Sequence, residues 1–281
     1  MADIKRLGLI AGGGDLPKYV LAGAKEQGLE TFTIILSDFA DAEDFPDNSH
    51  PFRLGDFGKL IKRLGKEKVD SVCFAGIVKR PDFKTLRPDL GGMKYLPGVI
   101  AAAAKGDDAL LRHISSIFES KGMPLIAPQQ FCEALLAPSG PLGDIDITPA
   151  HRDDAAQARD VAREIGRMDI GQGAIVAGGL VLAVEAAEGT DAMVARIRML
   201  PENIRGTEQA RRGVLAKVVK PGQDIRMDLP TIGSSTILAA SQAGLAGIIV
   251  EAGNAFILDK GRVAELANEH GLFVVGLPPN G

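Results

Sequence analysis

Leu7-Gly8-Leu9-Ile10-Ala11-Gly12-Gly13-Gly14-Asp15-Leu16-Pro17 joins a short apolar run to a helix start through three consecutive glycines. Residues 7–11 have the length of a buried strand, and a proline at the head of a helix brings the fixed φ that helix entry needs. Backbone N–H groups at such a helix start, with the helix dipole behind them, favour an anion, and glycine lets a phosphate approach the main chain. A dinucleotide fingerprint G-x-G-x-x-G would put its third glycine where this chain has Pro17, although Asp38 lies at the distance of a ribose-binding acid. The loop therefore reads either as a phosphate cradle made by Gly12, Gly13, Gly14 and Asp15, or as a tight turn.

Outward from this stretch, strand-like and helix-like segments alternate: a helix from about Pro17, strands at 31–36 and 71–75, helices at 57–64 and from Asp107, and a strand at 124–127. That alternation predicts right-handed βαβ units and a parallel sheet, a Rossmann-like domain over residues 1–136. The Pro/Gly-rich run from Leu136 to Asp144 fits neither helix nor strand, and residues 137–147 read as a linker. Beyond it come a polar helix at 152–165, a hairpin turned at Gly178-Gly179, strands at 214–219, 247–250 and 273–277, and a helix near Gly233. The expected class is α/β, with a second α/β domain over 148–281 built on a mixed sheet.

Composition narrows the functions. A chain of 281 residues, 46% apolar, can fill two cores, while 5% aromatic residues, no Trp and a net charge of -4 argue against a nucleic-acid partner. Cys73 and Cys132 are far apart and lie in apolar segments, so they form neither a metal-spaced pair nor a disulfide framework, which suits a reducing cytoplasm. The N-terminus lacks a signal-peptide pattern, and no run reaches the roughly 18 apolar residues of a membrane span. The four histidines show no zinc spacing, and neither a G-x-S-x-G elbow nor a Walker sequence is present. A hydrolase built on this chain would activate water rather than use a covalent nucleophile.

Hard oxygen ligands and phosphate-seeking cations gather in the second half. Glu185-Ala-Ala-Glu188-Gly-Thr-Asp191 sets three carboxylates after an apolar hairpin, and Glu188 and Asp191 converge if Gly189 opens a turn. The plain alternative makes Thr190 an N-cap and Asp191 a helix-dipole partner. In Gln223-Asp224-Ile-Arg226-Met-Asp228, strand alternation would put both acids and Arg226 on one side, a magnesium site or an ordinary salt-bridged loop. Lys217, Lys220, Arg196 and Arg198 tilt that reading toward phosphate. Lys79-Arg80 follows a buried strand at the ligand-binding edge of an open sheet, where it could hold a diphosphate or simply be solvated. From Phe83 to Ile100 apolar and basic residues interleave without helical periodicity, as a loop packed on the sheet or as a surface for acyl chains or a membrane.

Gly12-Gly-Gly-Asp-Leu-Pro17, Gly76-Ile-Val-Lys-Arg-Pro81, Gly106-Asp-Asp-Ala-Leu-Leu111, Asp169-Ile-Gly-Gln172, the acidic run at 185–191, and Lys220-Pro-Gly-Gln-Asp-Ile-Arg-Met-Asp-Leu-Pro230 with Gly233 and Thr236 occur in one order. In that order and spacing the chain resembles the UDP-2,3-diacylglucosamine pyrophosphatases of lipid A synthesis, the type unrelated to calcineurin-like phosphoesterases, over nearly its whole length. The resemblance implies a two-domain, Mg2+-dependent hydrolase of a UDP-linked diacylated glucosamine, yielding UMP and 2,3-diacylglucosamine 1-phosphate, with the active site between the domains. It makes Asp224 the first metal-binding and catalytic carboxylate, with Glu188, Asp191 and Asp228 as further ones. Gly12, Gly13, Gly14, Asp15, Lys79, Arg80, Lys217, Lys220, Gln223 and Arg226 are then the candidate substrate contacts. Peripheral contact with the inner membrane and a homodimer are compatible with this reading. The other classes are a nucleotide-sugar or lipid-binding regulator and an NAD-dependent oxidoreductase, the latter needing Asp38 on a ribose.

Overall fold

The computed structural model describes residues 4–45 and 49–279. The chain forms two units, one comprising the residues up to Glu133 together with Asp224–Asp228, the other Ala134–Gln223 and Leu229 onward.

In the first unit the elements are β1 (Arg6–Ala11), α1 (Leu16–Glu26), β2 (Glu30–Leu36), β3 (Ser49–Phe52), α2 (Phe57–Lys66), β4 (Ser71–Ala75), α3 (Leu96–Ala103) and α4 (Asp107–Glu119). The sheet runs β3-β2-β1-β4 and every pairing is parallel, as the alternation predicts. Parallel strands bury both faces, which is why β1 and β2 are continuous apolar runs. Phe32, Ile34, Leu64, Val72 and Phe118 are at the centre of the core. Cys73 and Cys132 are both buried and reduced, and burial pushes the Cys132 thiol up to about 12.

Two expectations for this unit change. Residues 124–127 make only a single bridge, Val72 with Leu125, because Pro124 and Pro128 bracket the segment and neither has an N–H to extend a ladder. Residues 96–103, taken as part of an aperiodic loop, are helical. Their exposed side is apolar as well, so no polar stripe marks the helix period. Close packing also decides α1: a Cβ on Gly23 would overlap the Phe131 carbonyl oxygen. Gly23→Ala is therefore expected to lower unfolding stability by about 1–3 kcal/mol, the usual cost of overpacking. A denaturant midpoint equal to that of the parent would contradict this contact.

The second unit carries β5 (Gly140–Pro141), α5 (Pro149–Arg167), β6 (Gly173–Ala177), β7 (Leu180–Val184), α6 (Gly189–Ile197), α7 (Glu202–Arg205), β8 (Val214–Lys217), β9 (Thr231–Ile232), α8 (Ser234–Gln242), β10 (Gly247–Glu251), β11 (Phe256–Ile257), α9 (Lys260–Glu269) and β12 (Phe273–Leu277). Its main sheet runs β5-β12-β10-β8-β6-β7; β8, β10 and β12 are parallel, and β5, β6 and β7 join antiparallel, giving the expected mixed sheet. β5 falls inside the Pro/Gly-rich run and is the edge strand on β12.

One face of this sheet packs on α5 through Ala155, Ala158 and Ala162, whose small side chains admit a close approach. The other face, carrying Ile175, Leu215, Ile248 and Val274, packs on Met193 and Ile197 of α6, Ile237 of α8 and Leu266 of α9. Lys217 alternates with Leu215 and so shares this second face, at the carboxyl end of β8. Among the described residues no helix is long and apolar enough to cross a membrane.

Candidate active site

The carboxyl edge of β8 concentrates polar groups that a core does not need. Lys217 is only 6% exposed, and its Nζ donates to the Thr231 carbonyl at 3.1 Å. Thr231 leads through Gly233 into the first turn of α8, which carries Ser234, Ser235 and Thr236. The ammonium is thus held at β9, the short strand that runs into α8, whose first-turn backbone donors and dipole favour an anion. The sequence signal for this turn was present as Gly233-Ser-Ser-Thr236 before an apolar run, yet Ser234 and Ser235 were not singled out.

Directly across from Lys217 in the ladder is Gly173. Glu185 fills the space over that glycine: a Cβ there would meet Glu185 Oε2 at 2.7 Å. The Glu185 carboxylate is 6% exposed, accepts a 2.8 Å bond from Thr190 Oγ1 through Oε1, and leaves Oε2 without a hydrogen-bond partner. Thr190 is therefore not the N-cap of α6; Glu188 occupies that position and makes no capping bond. Of the three acids in the run, Glu185 is inside the unit, Glu188 pairs with Arg196 at 3.3 Å, and Asp191 is exposed in the first turn of α6. Lys220 pairs with Asp169 at 2.8 Å, and its N–H donates to Gln223 Oε1 at 3.0 Å.

Asp224 and Asp228 are part of the first unit. They are not on one side of an extended segment: Met227 N donates to Asp224 O at 2.9 Å, closing a turn. Within it Asp224 Oδ1 accepts from Arg226 N at 3.1 Å, and the Arg226 guanidinium reaches both carboxylate oxygens, with Nη2 to Oδ2 at 2.7 Å. Asp and Asn side chains readily bond the backbone two residues on, which overrides strand alternation here. Arg226 also donates to Glu119 of α4 at 3.1 Å, and Gln129 Nε2 donates to Ile225 O at 2.9 Å. The guanidinium of Arg226, helped by Arg112, holds the Asp224 carboxyl below the usual carboxylate range against the opposing effect of burial.

At the glycine loop, Gly12 N donates to Ala75 O at 2.8 Å and Gly13 N to Ile77 O at 2.9 Å, with Ile77 N returning to Gly13 O. Those two amides stitch the loop to the end of β4; Gly14, at φ +82, turns the chain into α1. Asp15 is exposed and pairs with Lys18. Lys79 is exposed and makes no ion pair among the described residues, whereas Arg80 holds Asp107 at 2.7 Å and donates to the Ala103 carbonyl. Asp38, the ribose candidate, accepts from Leu54 N at 2.8 Å and so is engaged with its own chain.

Among the described residues no cluster of three or more His, Cys, Asp or Glu is arranged to hold a metal. Mg2+, however, keeps several waters and is commonly held by one or two carboxylates plus substrate phosphates. Ionised Asp224, with Asp228 four residues on, fits that mode of binding in its donor chemistry, as does the exposed Asp191.

Residues 6–135 match the family model described as the LpxI N-terminal domain, and residues 138–275 match the LpxI C-terminal domain. A curated relative from Caulobacter vibrioides, the UDP-2,3-diacylglucosamine pyrophosphatase LpxI, is 49% identical over 98% of this chain and 99% of its own. Among solved structures, the UDP-glucose 4-epimerase of Thermus thermophilus in complex with NAD aligns over 98% of this chain and 86% of its own at 13% identity and a TM-score of 0.31. CobK precorrin-6A reductase aligns over 99% and 100% at 14% identity and a TM-score of 0.32.

Proposed function

We propose, because the chain belongs to the LpxI family, that it hydrolyses the diphosphate of UDP-2,3-diacylglucosamine to UMP and 2,3-diacylglucosamine 1-phosphate in lipid A biosynthesis. The structural observation that carries this reading is the buried Lys217, whose Nζ is held at the Thr231 carbonyl of β9, the short strand that leads into the first turn of α8. Such a pair is suited to a phosphate oxygen whose charge grows as the anhydride opens.

In this account water adds to one phosphorus, the bridging P–O bond breaks, and the two phosphates leave as monoesters. Lys217 and the amides and hydroxyls of Ser234 and Ser235 stabilise the negative charge on one of them. Asp224 is the first carboxylate for Mg2+, with Asp228, Asp191 and Glu188 as the further ones. A bound Mg2+ would neutralise diphosphate oxygens and lower the pKa of an attacking water. Arg226 fixes the Asp224 carboxylate in its ionised form and orients it. Lys220, Gln223, Lys79, Arg80, Asp15 and the Gly12–Gly14 loop are the remaining proposed substrate contacts. The same reading implies a cytoplasmic setting.

Release of UMP from UDP-2,3-diacylglucosamine, followed by chromatography, is expected with magnesium and not after chelation by EDTA. Turnover of soluble UDP-glucosamine is expected to be far slower, since an enzyme for a diacylated substrate draws on its acyl chains for binding energy. Equal rates on the two compounds would remove the lipid from the proposal; equal rates with and without EDTA would remove the metal.

A further inference from the structure

The backbone winds without interruption from Gly92, whose carbonyl accepts from Tyr95 and Leu96, through α3 to Ala104, whose N–H reaches Ile100. One side of this helix is committed to the fold. Tyr95 and Val99 pack on the core, Tyr95 edge-on to Phe57, and Gly98 makes room for His113 of α4. The opposite side should be polar, as on an ordinary surface helix. It is not: Leu90 is 92% exposed, Met93 56% and Ile100 44%, and Pro97, Ala101 and Ala104 are exposed with them. Positions 93, 97, 100, 101 and 104 follow helical spacing within this winding, so these side chains form one stripe, and the exposed Leu90 lies in the turn just before it.

Cations stand at both ends of the stripe. Lys94 and Lys105 are exposed and make no ion pair among the described residues, and Lys84 and Arg87 are exposed in the segment that precedes the helix. Residues 90–106 contain no acid. The two acids just before are occupied locally, Asp82 by Lys84 N and Asp89 by Lys59 N and Gly92 N. Asp82 and Asp89 lie beside Lys84 and Arg87 in sequence, so the excess positive charge is that of Lys94 and Lys105. A helix with a bare apolar face and cations at both ends has the chemistry of an interfacial helix.

We propose that this face of α3 docks on an anionic lipid bilayer. The charge selects that occupant: a two-fold contact with a second copy would set Lys94 and Lys105 of each chain into one interface, whereas acidic headgroups complement them. The inference deepens the proposed function, whose substrate is a lipid, but it stands on the face itself and is tested without substrate.

The test is sedimentation of the full chain with vesicles of phosphatidylcholine containing phosphatidylglycerol, beside phosphatidylcholine alone. The chain is expected to pellet with the anionic vesicles, and added salt to weaken this. The double variant Leu90→Glu/Ile100→Glu should bind at least about tenfold more weakly, since two apolar anchors are lost and two negative charges gained. Lys94→Glu/Lys105→Glu, on exposed side chains, should lose the preference for phosphatidylglycerol. Both variants should hydrolyse detergent-dispersed substrate at the parent rate. Failure of the parent to pellet with either vesicle, or equal pelleting of parent and variants, would overturn the proposal. So would lipid-free self-association abolished by Leu90→Glu, which would assign the face to protein. Loss of hydrolysis with vesicle binding intact would count against the reaction and not against this surface.

Discussion

Asp224→Ala is expected to fold as the parent does and to lose at least about 100-fold in turnover, the scale on which electrostatic and metal-assisted stabilisation of a transition state is lost. The side chain is partly exposed and its partner Arg226 keeps a second carboxylate, Glu119. Partly exposed ion pairs contribute little to stability, so the thermal midpoint should hardly move. The state of charge matters as much as its presence. Arg226 depresses the Asp224 pKa, so whatever stability and function the carboxylate supplies are complete above the ordinary Asp value of about 3.9 and are lost only as pH falls through the lower, folded value. An acid limb in turnover between about pH 5 and 7 must then come from another group. Arg226→Met should move the Asp224 titration back up, which carbon-13 NMR of the carboxyl would read. Full turnover in Asp224→Ala would refute the role given to this residue.

Lys217→Met is expected to cost about 10²–10³ in kcat, as removal of a positioned donor at a developing charge does. Methionine keeps much of the length and volume of the lysine stem in a site where 6% of the residue is exposed. Replacing a buried charge by a well-packed apolar group is often neutral or stabilising, so the fold should survive and the loss should appear in kcat. Lys217→Arg should not restore it, because the larger, planar guanidinium presents its donors in a different geometry from the compact ammonium it replaces. A parent-like kcat in a folded Lys217→Met would move the charge-stabilising role away from the β8 edge.

What could be read in the residues depended on how local the cause was. The apolar runs of β1, β2, β4 and β10 and the Gly178-Gly179 turn lie in the sequence itself, and each was legible to within a residue or two. The second α/β sheet was likewise visible as mixed. Helix α3 was not, because its exposed face is as apolar as its buried one and the usual alternation of the two is missing. Residues 124–127 look like a strand until the N–H groups missing at two prolines are counted.

The acids of the candidate site were visible as residue types and misplaced in geometry. Asp224 and Asp228 read as one side of a strand, but the Asx-type bond to Arg226 N folds that segment into a turn. Glu185, Glu188 and Asp191 read as one cluster, yet Glu185 turns inward over Gly173, where the missing side chain leaves room for a carboxylate, and only a register across three strands reveals it. Lys217 read as a phosphate-seeking cation in the strand at 214–219; its burial follows from alternation with Leu215 on a face covered by α6 and α8.

The measurement that bears most directly on the central claim is phosphorus-31 NMR of UDP-2,3-diacylglucosamine incubated with the purified chain in magnesium, beside an EDTA control. Loss of the two coupled diphosphate resonances with growth of two phosphomonoester signals, in the magnesium sample alone, is the predicted result. A diphosphate spectrum that stays unchanged in magnesium while the protein remains folded would contradict it.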